Sequence, residues 1–292
     1  MIKFAVFCGI IILGLMMYIS RPLNLRAEEG TTPPPLPAEV APPPVPLEVE
    51  EAAELLELYT VPDPEPLSHT AYYWPPYLPL EFYQHIQYVE NPYDRLVLVN
   101  KNNRLSPDFS PSDLRLVQVL DFYNRRATTI FLRDPAATAA EALFAAAWEE
   151  DGLVLWARSG YRSFSRQERT HRNFVNSRGQ AQADRFSARA GHSEHQAGVA
   201  LDVTSASVNG HLTATFGQTA EGLWLRHNAH RFGFIIRYPE DREDETGYAY
   251  EPWHIRYVGK ESAEVIFRNE LILEQYLIGR IVSYVSVEVS VD

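Results

Sequence analysis

The order of helical and strand signals along this chain predicts an α+β fold built on a largely antiparallel sheet. Three observations carry that prediction. Short, apolar, β-branched runs recur along the second two-thirds of the sequence. Helical patterns fall between them without the βαβ regularity that a parallel sheet requires. Of the 292 residues, 46% are apolar and 22% charged, enough apolar surface for a sizeable core.

In chain order, Leu96-Val97-Leu98-Val99-Asn100 reads as a short strand closed by a turn at Asn102-Asn103. Pro135 to Glu150 is an Ala-rich helix with Ala139, Leu143, Ala146 and Ala147 as its apolar stripe, and Gly152 ends it. Leu153 to Ala157 is the next strand, and Gln167 to Arg178 the next helix. Val199 to Val203 is a strand, Glu221 to Arg231 a helix and Phe234 to Tyr238 a strand. Trp253 to Val258 is a strand, Ser262 to Leu277 a helix, and Ile281 to Val291 a last alternating strand, expected at a sheet edge. The chain has no internal repeats.

Ahead of the globular part the sequence changes character. Lys3 precedes an uncharged run, Phe4 to Ser20, which Arg21 closes. The run is at the short end for a spanning helix, and Leu25-Arg26-Ala27 makes a poor cleavage site because its first position is large. Residues 1–27 are therefore expected to be an uncleaved membrane anchor, with a cleaved signal as the alternative. From Glu28 to about Pro66 the chain is rich in Pro, Glu, Ala and Val, including Pro33-Pro34-Pro35 and Pro42-Pro43-Pro44. Such a stretch cannot bury enough surface to fold, so residues 28–71 are expected to form an extended stalk, with a short helix possible at Glu50 to Leu58. The folded domain is expected over 72–280, followed by a tail over 281–292. Tyr72-Tyr73-Trp74-Pro75-Pro76-Tyr77 could stack on sugars, but more often such a cluster packs a chain terminus onto its domain.

Charge and cysteine content narrow the chemistry. Net charge is −12, and the basic residues are nearly all Arg, with Lys only at Lys3, Lys101 and Lys260. No dense basic patch appears, which argues against nucleic acid as a partner. An acidic surface also repels anionic lipid, so membrane contact should come from the apolar segment. The single cysteine, Cys8, lies in that segment, which leaves the domain no internal disulfide and no thiolate metal site.

A candidate site assembles from three segments: Ser193-Glu194-His195-Gln196-Ala197-Gly198-Val199-Ala200-Leu201-Asp202, Glu251-Pro252-Trp253-His254 and Gly160-Tyr161-Arg162-Ser163. His195 and Asp202 are seven apart, which would put them on opposite faces of one continuous strand. Gly198 between them permits a bend, after which Val199, Leu201 and Val203 face one way and Ala200 and Asp202 the other. Asp202 is then a charge on a strand otherwise fit for burial, costly unless paired or bound to a metal. Pro252 allows a turn before the next strand, so that Glu251 can swing to the side of His254. Two imidazoles and a carboxylate suit Zn²⁺ with a fourth position left for water, and Glu251 is placed to take a proton from that water and pass it to a leaving amine. Taken singly, His195 could cap a helix, Asp202 could pair with an Arg, and His254 could be an ordinary strand histidine. Their joint occurrence beside apolar strands favours the metal.

Other chemistries fit less well. The sequence has no His-Glu-x-x-His, no Ser-x-x-Lys, no Gly-x-Ser-x-Gly elbow and no Gly-rich phosphate loop. His227 and His230 are three apart on a predicted helix, but they sit among Arg226 and Arg231 with no acid nearby in sequence, which favours a solvated or capping role. His192 and His211 fall in predicted loops and receive no role.

At these residues the chain resembles the zinc D-alanyl-D-alanine carboxypeptidases, the vancomycin-resistance D,D-carboxypeptidases and the related L,D-carboxypeptidases. The family pattern Ser-x-His-x-x-Gly-x-Ala-x-Asp followed by Glu-x-x-His is met at Ser193, His195, Gly198, Ala200, Asp202, Glu251 and His254. Leu98 to Lys101, Ser159 to Ser163 with Gln167, Gly233 to Pro239, and Gly247 to Gly259 are also family-like, in the same order, and the match covers roughly Leu96 to Leu277. The resemblance implies a hedgehog/D-Ala-D-Ala peptidase-like fold with a central antiparallel sheet flanked by helices. It implies one Zn²⁺ on His195, Asp202 and His254, with Glu251 as general acid/base. It implies that Arg162 contacts the substrate carboxylate or the developing oxyanion, a structural ion pair being the alternative, and that Gln167 and Ser193 line the substrate pocket. The substrate implied is a peptidoglycan stem peptide losing its C-terminal D-alanine outside the cytoplasm. L,D-carboxypeptidase, endopeptidase and non-catalytic binding roles are the alternatives.

Overall fold

A computed structural model describes residues 81–123 and 125–280. The anchor and stalk expected over 1–71, the aromatic cluster at Tyr72 to Tyr77 and the strand expected over Ile281 to Val291 lie outside the described residues. Among the described residues no helix is long and apolar enough to cross a membrane.

Four short strands open the described part: β1 Gln87–Tyr88 pairs in parallel with β2 Asn103–Arg104, and β3 Leu114–Leu116 pairs antiparallel with β4 Phe131–Arg133. Helix α1, Asp134–Asp151, starts directly after β4 with Pro135 in its first turn, where no intrahelical N–H is needed. Gly152 ends it in the left-handed conformation (φ 65°), its N–H reaching back to the carbonyls of Ala147 and Trp148. After it come β5 Trp156–Ser159, α2 Phe164–Arg178, α3 Gln180–Phe186, β6 Ala200–Thr204, α4 Ala220–Asn228, β7 Phe234–Tyr238, the short α5 Glu243–Thr246, β8 Glu251–Tyr257 and α6 Lys260–Arg268.

Strands β5, β6, β8 and β7 form one sheet in that spatial order, each pair antiparallel. Helix α1 lays Ala136, Ala137, Ala140, Leu143, Phe144 and Ala147 into a core shared with Leu201, Val203, Phe234 and Ile255 of the sheet. Four of these six helix residues are alanines. The buried face is turned slightly from the expected stripe, leaving Ala139 and Ala146 only partly buried. The α+β class with a central antiparallel sheet and flanking helices is therefore the observed architecture.

Two expected elements are corrected. Leu96 to Asn100 buries Val97 and Val99 but forms no strand, Leu96 lying in a turn and Asn100 at a bend. Its polar groups go elsewhere: the carbonyls of Arg95 and Val97 accept from the Arg256 guanidinium, and Asn100 N–H closes on Asn103 O. The single helix expected over Ser262 to Leu277 is two, α6 and a second helical run over 273–280. Between them Glu270 adopts a left-handed φ of 51°, and Leu271 N–H bonds back to Ile266 O, a helix-ending pattern. Helix α3 was not expected, since only Ala183 of its seven residues is buried and no apolar periodicity marks it.

Candidate active site

The site sits where β6 and β8 run side by side. Asp202 on β6 is paired with His254 on β8, so their side chains leave the same face of the sheet next to each other. Glu251 is three residues from His254 and would face away on a regular strand. The register between β7 and β8 shifts between the Ile236–Ile255 and Tyr238–Glu251 pairs, and this irregularity brings Glu251 round to His254. The expected turn before the strand is thus a bulge inside it, since β8 already begins at Glu251.

His195 precedes β6 in a turn that Gly198 closes, with Gly198 N–H bonded to His195 O and φ at 71°. A Cβ there would stand 2.9 Å from Arg133 Cγ and 3.0 Å from Leu114 Cδ2, so both backbone angle and space require glycine. The bend sends Val199 into a different apolar cluster from Leu201 and Val203.

One donor atom from each of His195, Asp202 and His254 falls within a 4.8 Å span, and all three residues are buried. His195 Nε2 stands 3.3 Å from Asp202 Oδ2, and His254 Nδ1 stands 3.4 Å from Asp202 Oδ1. Glu251 Oε2 is 3.7 Å from His254 Nδ1. The His195 ring is held from behind, its Nδ1 2.8 Å from Gly160 O, which directs Nε2 into the cluster. Two imidazole nitrogens and a carboxylate at this spacing, with a second carboxylate adjacent, fit the donor set of a catalytic zinc site.

Burial and mutual charge set the protonation of the group. Burial raises Asp202, but the two imidazoles outweigh it and hold the carboxyl well below the usual range. Burial pushes Glu251 up to about 8, with Asp202 adding to the rise and His254 and Arg162 opposing it. Burial lowers His195. Burial lowers His254, but the facing carboxylates of Asp202 and Glu194 outweigh it and raise it to about 9.

Arg162 closes one side. Its backbone N–H bonds His195 O, Nη1 donates to Gln167 Oε1 at 2.7 Å, and Nη2 donates to Ser159 Oγ at 2.8 Å while standing 3.6 Å from Asp202 Oδ2. Gln167, buried on α2, is in turn anchored by donating Nε2 to Ala188 O at 2.6 Å. Gln167 therefore holds the arginine as well as lining the cleft. Ser193 is buried at the cleft wall. The cleft has a volume of about 510 Å³, and Phe174, Phe186, Leu212, Tyr238, Tyr250 and Trp253 give it an apolar lining around the polar floor.

Glu194 received no role from the sequence, yet it is fully buried with its Oε2 3.5 Å from His254 Nε2. A glutamate beside a histidine is too common to be a signal, and the arginines it meets, Arg237 and Arg256, are distant in sequence. The other paired histidines stay apart from this cluster. His227 Nδ1 lies 2.8 Å from Leu223 O, while His230 stacks on Phe267 with its Nε2 3.3 Å from Glu264, an acid that the sequence does not place nearby. Among the described residues, His195, Asp202 and His254 are the only such grouping.

The family model for VanY, D-alanyl-D-alanine carboxypeptidase, matches residues 129–260. The Bacillus subtilis (strain 168) protein YodJ is 44% identical over 191 residues, 65% of this chain and 70% of YodJ. The solved structure of the LdcB LD-carboxypeptidase superposes with a TM-score of 0.62 at 43% identity, covering 66% of this chain and 90% of LdcB. That of the vancomycin-resistance D,D-pentapeptidase VanY in complex with Zn(II) gives 0.53 at 31% identity, covering 63% and 98%.

Proposed function

Because the chain belongs to the VanY family of D-alanyl-D-alanine carboxypeptidases, we propose that it removes the C-terminal D-alanine from peptidoglycan stem peptides, using one Zn²⁺ on His195, Asp202 and His254. The observation that carries this reading is the convergence of those three buried donors within 4.8 Å beside Glu251 and Arg162. Zinc bound there would supply Lewis acidity to the scissile carbonyl and to a water molecule.

The chain's own residues do the rest. Glu251, in its ionised form, takes up the proton released as water adds to the penultimate carbonyl and delivers it to the departing amine as the C–N bond breaks. Arg162, fixed by Gln167 and Ser159, presents its guanidinium to the terminal carboxylate or to the oxygen gaining charge. Aromatic side chains line the cleft around these groups.

A second reading, L,D-carboxypeptidase, is favoured by the similarity to LdcB, whose TM-score of 0.62 exceeds the 0.53 of the D,D-pentapeptidase. Mass spectrometry of stem peptides incubated with the protein separates the two. Pentapeptide shortened to tetrapeptide supports D,D-cleavage, and tetrapeptide shortened to tripeptide supports L,D-cleavage. If neither peptide loses an amino acid, both readings are wrong.

Outside the domain, we propose that residues 4–20 hold the chain at a membrane and that 28–71 act as a spacer carrying the domain into the extracytoplasmic wall. The uncharged run and the Pro-rich composition support this reading.

A further inference from the structure

We propose that Glu194 is a positioning residue that decides which nitrogen of His254 faces the metal position, and that Arg237 and Arg256 hold Glu194 for this task. The inference rests on the zinc reading above for the identity of the ion.

His254 stands among three carboxylates. Its Nδ1 faces Asp202 Oδ1 at 3.4 Å and Glu251 Oε2 at 3.7 Å, and its Nε2 faces Glu194 Oε2 at 3.5 Å. A neutral imidazole carries one N–H and one lone pair, and an ionised carboxylate only accepts. Glu194 Oε2 and His254 Nε2 are both buried, and neither has a hydrogen-bond partner elsewhere. With a cation at the position shared with Asp202 and His195, the arrangement is satisfied when Nε2 carries the proton and points it at Glu194. That leaves the Nδ1 lone pair directed at the position shared with Asp202 and His195. The opposite tautomer sets a lone pair against a carboxylate in a dry interior, which is costly.

The means of holding Glu194 ionised and still are visible. Its Oε1 accepts from Arg237 Nε and Arg256 Nη1, each at 2.7 Å, and all three side chains are fully buried. Arg237 places its other two nitrogens on Glu274 at 2.7 and 2.9 Å, and Glu274 also accepts from Asn100 Nδ2. Arg256 Nη2 is taken up by the carbonyls of Arg95 and Val97. Two guanidiniums balance two carboxylates, and only Oε2 of Glu194 remains to be satisfied. Buried ion clusters of this kind contribute little stability compared with apolar packing, so their placement against a metal-side histidine points to orientation as their role. His195 provides the parallel: Gly160 O holds its Nδ1 and turns the opposite nitrogen, Nε2, inward. The two rings thus ligate through different nitrogens because different partners stand behind them.

The test uses the full chain with Glu194→Gln. If the amide oxygen serves the arginines, the amide NH₂ donates to His254 Nε2 and drives the imidazole proton onto Nδ1. If the amide flips, its NH₂ opposes two guanidiniums. In both cases zinc affinity, read by competition with a chromophoric chelator, is expected to fall about tenfold or more. Glu274→Gln, which disturbs the same buried cluster without touching His254, is expected to melt at lower temperature and keep the wild-type zinc affinity. Unchanged affinity in Glu194→Gln, or equal losses in the two variants, overturns the proposal. Should Glu194→Gln fail to fold, ¹⁵N spectra of the wild-type protein loaded with ¹¹³Cd decide: metal coupling at His254 Nδ1 with a proton on Nε2 supports it, and coupling at Nε2 overturns it. None of these readouts involves turnover, so a protein that showed this pattern but released no amino acid would keep the inference while the peptidase reading failed.

Discussion

At position 251 burial and charge pull on one carboxylate in a way that suits proton transfer. Desolvation by the cleft raises Glu251 to about 8, while His254 and Arg162 keep the charged form within reach. Glu251→Ala is expected to bind zinc as the wild type does and to lose about 10²–10⁴-fold in turnover. D-alanine release at the wild-type rate would place the base elsewhere. His192 offers a test of the fold at the same scale. Burial lowers it from 6.5 to about 4, and its Nδ1 contacts Asn100 O at 2.9 Å. The unfolded chain therefore takes a proton that the folded protein refuses as pH drops from 6.5 towards 4, and stability falls through that window. At about 1.4 kcal/mol per pH unit, the loss is at most about 3.5 kcal/mol. His192→Asn, which cannot titrate, is expected to be the more acid-resistant across that window in denaturant melts. Parallel pH curves for the two proteins would contradict this. The candidate metal residues and Glu251 could be picked out from the sequence because their types and spacing are chemically unusual together, whereas Arg162 stood out only through the family resemblance. Glu194 could not, because its partners Arg237 and Arg256 lie 43 and 62 positions away and only the fold brings them together.

Among the elements, irregularity does as much as regular structure. The register shift in β8 and the turn at Gly198 both correct a face mismatch that ideal strands would impose. Gly198→Ala forces a Cβ to within 3.0 Å of two neighbouring side chains at a φ of 71°, and about 1–3 kcal/mol of destabilisation is expected. A urea midpoint unchanged from wild type would show that the turn is not constrained in this way. Sequence periodicity located α1, β7 and the strands carrying Asp202 and His254, because each presents apolar residues to one core. It failed at Leu96 to Asn100, where an apolar run is buried by a guanidinium and loop contacts instead of a ladder. It failed again at 269–270, where a left-handed Glu270 divides a continuous amphipathic pattern.

For the whole chain, the site lies within a domain whose described residues run from 81 to 280, and the charge, stalk and anchor readings concern how that domain is delivered. A chain lacking residues 1–71 is expected to keep its zinc and its activity on soluble stem peptides, while leaving the membrane fraction after cell lysis. Loss of activity with the fold intact would mean that the preceding segment takes part in the site. The central claim is narrower: His195, Asp202 and His254 share one zinc ion. Anomalous diffraction at the zinc edge from crystals of the purified protein tests it most directly. One peak is expected about 2.0–2.2 Å from His195 Nε2, His254 Nδ1 and an Asp202 oxygen. A correctly folded protein with no peak at these three side chains would contradict the account.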